Sequence, residues 1–285
     1  METDHDIIRK PWLLEKIRYD LLLLENQIPF FVLEKLWDLA FQSSLLNGDN
    51  SLSLLELACY YLCPMEPIVL ESSIRVAHFT DMNRIFCLKP FNRNLSRTNE
   101  VPTLHYSASE LNEAGVKFKV NREEKSLLEL KFSGKCLQVP EIEVDDGTET
   151  WFRNMVALEQ CHYLEESYIT DYVIFIGHLV NEGKDVDVLV KNKIIVNRLG
   201  DNETVAELFR GLKRDIMVMN SDAEYTHICN QLNAYYENFW HKMMATLRID
   251  YFSTPWKTAA SVAAIILLIF TAIQTVCSVL STVKY

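Results

Sequence analysis

Cys161 and His162 stand side by side, a thiol next to an imidazole, the two groups that cysteine nucleophiles use. Catalytic Cys/His pairs are brought together by the fold and not by adjacency, so this pair reads as a buried thiol beside a helix-end histidine. The acidic stretch Glu141, Glu143, Asp145, Asp146 and Glu149 offers charge to a cation. It lacks the alternating ligand spacing of a calcium loop, and strand alternation followed by helix capping accounts for it better. There are seven cysteines, Cys59, Cys63, Cys87, Cys136, Cys161, Cys229 and Cys277, and no CxxC pair. Cys59 and Cys63 share a helix face, but no second ligand pair accompanies them, and buried free thiols in a reducing compartment are expected. The seven histidines are dispersed. No glycine-rich phosphate loop, HExxH or GxSxG occurs. The sequence therefore supplies no catalytic residue, no metal ligand set and no cofactor site.

The chain around these residues has 285 positions, 49% hydrophobic and 24% charged, with only eight glycines and eight prolines. That composition suits a folded globular protein and argues against disordered or collagen-like chains. The net charge of −11 repels phosphate backbones, so nucleic acid is not an expected partner.

From Thr258 to Val283 there are 26 residues without a charge. As a helix this run reaches about 39 Å, beyond the ~30 Å hydrocarbon core of a bilayer. Ile265, Leu268 and Phe270 lie in its apolar centre. Pro255 suits the first helical turn, and Trp256 suits an interfacial position. A transmembrane helix over 255–283 is expected, with the lipid bilayer as its partner. The N-terminus has no apolar leader, and two residues follow Val283. The expectation is a tail anchor with the folded part in the cytosol. Lys242, Arg248 and Lys257 on one side, against Lys284 on the other, fit that orientation.

The remainder reads as an α+β domain, predominantly helical, with a small antiparallel β-meander. We expect a helical part over 1–106, including a variable loop over 89–106, and a second part of the same domain over 107–252. Helices are expected over Trp12 to Leu24, Phe30 to Leu46, Leu52 to Leu62 and Ser72 to Phe86. Lys89 to Asn99 reads as an exposed loop. Ser107 and Glu110 have capping-box spacing, and Gly115 stands where that helix would stop. Val116 to Val120, Leu127 to Phe132 and Cys136 to Val144 are the meander strands, the last an edge strand because of Pro140. Further helices are expected from Asp145-Asp146-Gly147-Thr148 to His162, over Ser167 to Val180, Asp185 to Lys191, Asn202 to Ile216, and, as one long amphipathic helix, Ala223 to Asp250.

Three stretches carry a family resemblance. Asp20 to Glu34 contains Glu25-Asn26-Gln27-Ile28-Pro29-Phe30-Phe31; Ser107 to Phe118 contains Gly115; and Asn154 to Cys161 ends in Glu159-Gln160-Cys161. Together with Tyr251 to Trp256 before an apolar helix, they resemble the plant family known as domain of unknown function 247. The resemblance implies a plant origin, a mostly helical domain and a C-terminal membrane anchor. Some grass members are associated with self-incompatibility, which implies recognition of an unknown protein partner more than catalysis. That role does not transfer through motifs that all members share. Family members carry a longer region before the Glu-Asn-Gln-Ile-Pro string, so this chain resembles a shortened copy. An enzyme with an unrecognised site, or a non-functional copy, are the alternatives.

Overall fold

The computed structural model describes residues 10–45, 53–62, 75–88, 96–122, 128–214, 216–238, 243, 246 and 255–283. The Gly48-Asp49-Asn50 turn, Cys63, most of the 89–99 loop, and Lys242, Arg248 and Lys284 lie outside them.

The N-terminal third is helical, as its pattern predicts. Helix α1 (Pro11–Asp20) opens on proline, and a 3-10 turn over Leu24–Asn26 leads to α2 (Phe30–Leu45). Helices α3 (Leu54–Leu62) and α4 (Phe79–Leu88) follow. Helix α4 starts later than its sequence suggests. His78 Nδ1 accepts the Asp81 N–H at 3.1 Å, and the Asp81 carboxylate accepts the Ala77 N–H at 2.9 Å. These side chains satisfy the first-turn donors and fix the start there. Leu22, Phe30, Ala58, Leu62, Met82 and Phe86 form a small core under these helices.

A larger core collects α5 (Ala108–Glu113), α6 (Thr148–His162), α7 (Tyr168–Leu179), α8 (Gly183–Lys191), α9 (Asn202–Lys213) and α10 (Ala223–Glu237). Trp151 packs against both cores, and its Nε1–H donates to Asn83 Oδ1 at 2.9 Å. The capping box is present: the Ser107 N–H donates to Glu110 Oε2 at 2.8 Å. Gly115 follows at φ +104°, a left-handed turn that glycine adopts without steric cost.

The mainly helical α+β class stands, but the strands are arranged differently from a meander. Strands β2 (Lys117–Asn121), β3 (Lys131–Ser133) and β4 (Cys136–Pro140) make one sheet in the order β2-β4-β3. Strand β4 runs antiparallel to β3 and parallel to β2, so it is central and not an edge strand. Pro140 is tolerated because it is the last residue of β4. The expected third run is in fact two strands. Beyond the proline, β5 (Ile142–Val144) pairs in parallel with β6 (Ile195–Asn197). A third pair joins β1 (Arg97–Thr98) to β7 (Ser221–Asp222). Arg97 and Thr98 thus leave the expected variable loop.

Helix α10 ends at Glu237, where Asn238 turns out of helical geometry at ψ 127°, so the expected single helix to Asp250 is interrupted. The last helix, α11 (Pro255–Val283), has an apolar span from Trp256 to Val279 with mean hydropathy 2.4 and no part of it buried. Its hydroxyls are satisfied internally: Thr271 donates to the Leu267 carbonyl at 2.8 Å and Thr275 to the Thr271 carbonyl at 2.7 Å.

Candidate functional site

The motif residues separate into internal latches and outward groups. Gln27 Nε2–H donates to the carbonyls of Leu21 (2.8 Å) and Leu23 (2.6 Å), while its Oε1 accepts the Thr80 N–H at 3.1 Å. Asn26 Nδ2–H donates to the Asp20 carbonyl at 3.0 Å. These amides close the turn between α1 and α2 and tie it to α4. Phe30 is 2% exposed and meets Phe79 edge-on at 5.8 Å, whereas Glu25 is exposed and Phe31 is 71% exposed. Pro29 accepts the Val32 N–H at 3.0 Å through its carbonyl, opening α2.

Glu159 is fully buried on α6. Its carboxylate accepts from Arg84 Nε (3.1 Å), the Ile169 N–H (3.2 Å), and the Thr170 N–H and Oγ1–H (both 2.7 Å). Burial pushes its pKa up, yet all four neighbours are donors, the surroundings of an ionised carboxylate. It therefore caps the N-terminus of α7. Gln160 and Cys161 follow on the same helix, and Gln160 Nε2–H donates to the Met217 carbonyl at 3.4 Å. Cys161 and His162 are both exposed, and of the described cysteines, all free, Cys229 alone is buried, so the expectation of buried thiols does not hold. They flank the internal cluster without joining it.

A second buried cluster is invisible in the sequence. Arg97 donates to Asp171 Oδ2 at 2.5 Å, to Ser167 Oγ at 2.8 Å and to Asn220 Oδ1 at 3.1 Å through Nε. Asp171 Oδ2 also accepts the Asp222 N–H at 3.0 Å. Burial pushes the Asp171 carboxyl up to about 7, against Arg97 and the Asp222 N–H, which pull it down. Both clusters fix helices through hydrogen bonds among their own residues.

Three residues of the acidic stretch, Glu143, Asp145 and Glu149, are spent on structure. Glu143 pairs with Arg198 at 2.6 Å and Glu149 with Arg153 at 2.7 Å. Asp145 accepts the Gly147 N–H (3.0 Å) and Thr148 Oγ1–H (2.9 Å), holding the turn ahead of α6, whose N-cap Gly147 takes no side-chain cap bond. Among the described residues, no three His, Cys, Asp or Glu side chains gather as a metal-binding group.

An open feature lies beneath α1, a cleft of about 220 Å³. Arg18 and Tyr19 border it from α1, Cys87 from α4, Trp151 and Phe152 from α6, and Tyr172 from α7, with Leu128 and Ile142 between. Burial pushes the Cys87 thiol up to about 12, too high for a nucleophile. Sequence reasoning did not select Arg18 or Tyr172; a tyrosine within the apolar run Tyr168 to Leu179 is the signal that marks the floor.

Gly147 controls how α1 closes the cleft. A Cβ at this position would collide with the Tyr19 ring, whose hydroxyl donates to Asp145 Oδ2 at 3.2 Å. Gly147→Ala should lower stability by about 1–3 kcal/mol, as overpacked sites do. Trypsin should also cut faster at Lys16 and Arg18. In a Tyr19→Ala background the same substitution should cost almost nothing, and a full cost there would show that the collision is not the cause.

The described residues define a mainly helical α+β domain with fixed internal ion clusters, a small cleft, and an apolar C-terminal helix of membrane-crossing length. The chain belongs to the family described as plant protein of unknown function, domain of unknown function 247, whose model matches residues 1–270. Two relatives come from Arabidopsis thaliana. The UPF0481 protein At3g47200 is 28% identical over 98% of this chain, and the putative UPF0481 protein At3g02645 is 27% identical over 59% of it. The chain spans 63% of the first relative's length and 32% of the second's. No solved structure matches the chain significantly.

Proposed function

We propose that this is a single-pass membrane protein, anchored through residues 255–283, whose folded domain recognises a protein partner and does not catalyse a reaction. The observation that carries the reading is the outward apolar surface of the N-terminal helices. Phe31, Leu36 and Leu39 are 71%, 58% and 61% exposed and fall within an arc of about 140° on α2 at ~100° per residue. Leu57 and Tyr60, three apart on α3, also face outward, Tyr60 at 83%. Apolar surface of this extent on a folded domain marks a binding face. The cleft supports the same choice. Its thiol is un-ionised near neutral pH, and no described histidine borders it to act as a base.

The anchor rests on α11, apolar on all sides and unburied. Basic residues on the domain side of that helix support a cytosolic domain. The test is proximity labelling with the full chain in plant tissue, comparing it with a Phe31→Glu/Leu36→Glu/Leu39→Glu variant. The wild type should stay in the membrane pellet after alkaline carbonate extraction and label a reproducible set of proteins. The variant should stay in the pellet, keep its melting temperature and lose that set. An unchanged set would refute the face, and release by carbonate would refute the anchor.

A further inference from the structure

We infer that the cleft beneath α1 binds a small aromatic carboxylate. Two of the residues that line it each carry a buried polar atom with no hydrogen-bond partner: Arg18 Nε and Tyr172 Oη. Both are buried, and Tyr172 is only 2% exposed. Buried polar groups in folded proteins are almost always paired, so two orphans on one cavity mark a position that something else fills. Arg Nε can only donate, and a tyrosine hydroxyl can donate as well. The missing group is therefore an acceptor oxygen, and a guanidinium favours an ionised one.

Of the two acidic residues that line it, one is paired with a cation and the other is engaged by hydrogen bonds. Glu143 is held by Arg198, and Asp145 is taken up by Tyr19, Gly147 and Thr148. The rest of the wall is apolar and partly aromatic, with Trp151 and Phe152 meeting edge-on at 4.7 Å. A cavity of roughly 150 Å³ holds benzene. The 220 Å³ here therefore suits a body of two fused rings. The inference stands apart from the partner-recognition reading, because a ligand in the cleft requires neither the α2 surface nor a membrane partner.

Equilibrium dialysis of 2-naphthoate against the purified full chain in lipid nanodiscs tests it, with empty nanodiscs as the blank. Saturable binding at one site is expected. Tyr172→Phe and Arg18→Met should each weaken it roughly tenfold, the weight of one hydrogen bond to a charged group. Leu128→Trp should abolish it by filling the cleft. 2-Naphthylmethanol, with the same rings and no charge, should bind at least fivefold more weakly. Melting temperatures separate lost contacts from lost folding, since Tyr172→Phe removes only an unpaired hydroxyl and should not lower that temperature. No saturable binding to the wild type, or equal binding by wild type and both point variants, overturns the inference. Equal binding of the alcohol and the acid overturns the carboxylate assignment.

Discussion

Arg84→Leu should destabilise the domain by roughly 3–5 kcal/mol, the range found when one member of a buried ion pair is removed. Arg84 donates to the Glu159 carboxylate and to the Glu166 carbonyl at 2.5 Å, and its guanidinium lies 3.9 Å over the Tyr163 ring. Tyr163 in turn donates to Asp81 at 2.6 Å. Removing the guanidinium leaves an ionised carboxylate in a site with no water contact and breaks the link between α4 and the α6–α7 turn. Adding Glu159→Gln to Arg84→Leu should recover part of the loss. The amide removes the unpaired charge and keeps one oxygen, for the Thr170 N–H that helps open α7, while the Ile169 N–H loses its acceptor. Urea unfolding of the purified chain in detergent, followed by tryptophan fluorescence, measures both. A loss below about 1 kcal/mol, well short of that range, or a double variant less stable than Arg84→Leu, would show that the pair does not hold the turn.

Asp185→Ala should cost about 3 kcal/mol, because one carboxylate serves three backbone donors and charge-assisted bonds are the strong ones. Asp185 Oδ1 accepts the Ser109 N–H at 2.9 Å, and Oδ2 accepts the N–H groups of Asn181 and Glu182 at 3.0 Å each. It thereby caps α8 and holds α5 against it. Burial raises its pKa, but the bonds from Ser107, Ser109 and Asn181 outweigh burial and hold it below the ordinary value. A carboxylate depressed in the folded state stabilises above its unfolded pKa, about 3.9, and loses that contribution as pH falls through the folded value. The stability gap between wild type and Asp185→Asn should be full at pH 7 and shrink below about pH 4. Denaturation curves at pH 7 and pH 3 check the sign, and a gap that widens in acid would contradict it.

What the sequence discloses of this fold is what short-range chemistry decides. The Ser107–Glu110 box, the glycine after α5 and the proline start of α2 are all settled within a few residues, and all are legible. The β-arrangement is not. Whether Cys136–Pro140 joins β2 or only β3 depends on the route of the chain between them, and alternation along a strand is the same in either order. Strands β1, β6 and β7 hold two or three residues each, too few for any period to show. The ion clusters join residues 75 and 74 positions apart, Arg84 with Glu159 and Arg97 with Asp171. No local spacing signals either pair. The cleft was hidden for a related reason: Tyr172 sits in a run whose apolar neighbours read simply as core, and Arg18 on an amphipathic helix reads as solvated.

The pairing of β1 with β7 has a mechanical meaning. Ser221–Asp222 lies immediately before α10, and it is gripped from several directions. Ser221 Oγ–H donates to the Glu100 carbonyl at 2.6 Å, the Ala223 N–H donates to the Ser96 carbonyl at 2.9 Å, and Asp222 donates to Asp171 beside Arg97. A pull on the chain beyond Asn238 would strip α10 from its C-terminal end and then meet this clasp. Because β1 lies more than a hundred residues earlier in the chain, the clasp ties the start of α10 to a segment remote in sequence, so that load arriving through α10 is shared with the chain around Arg97. The two short strands act as a strain relief at the start of α10.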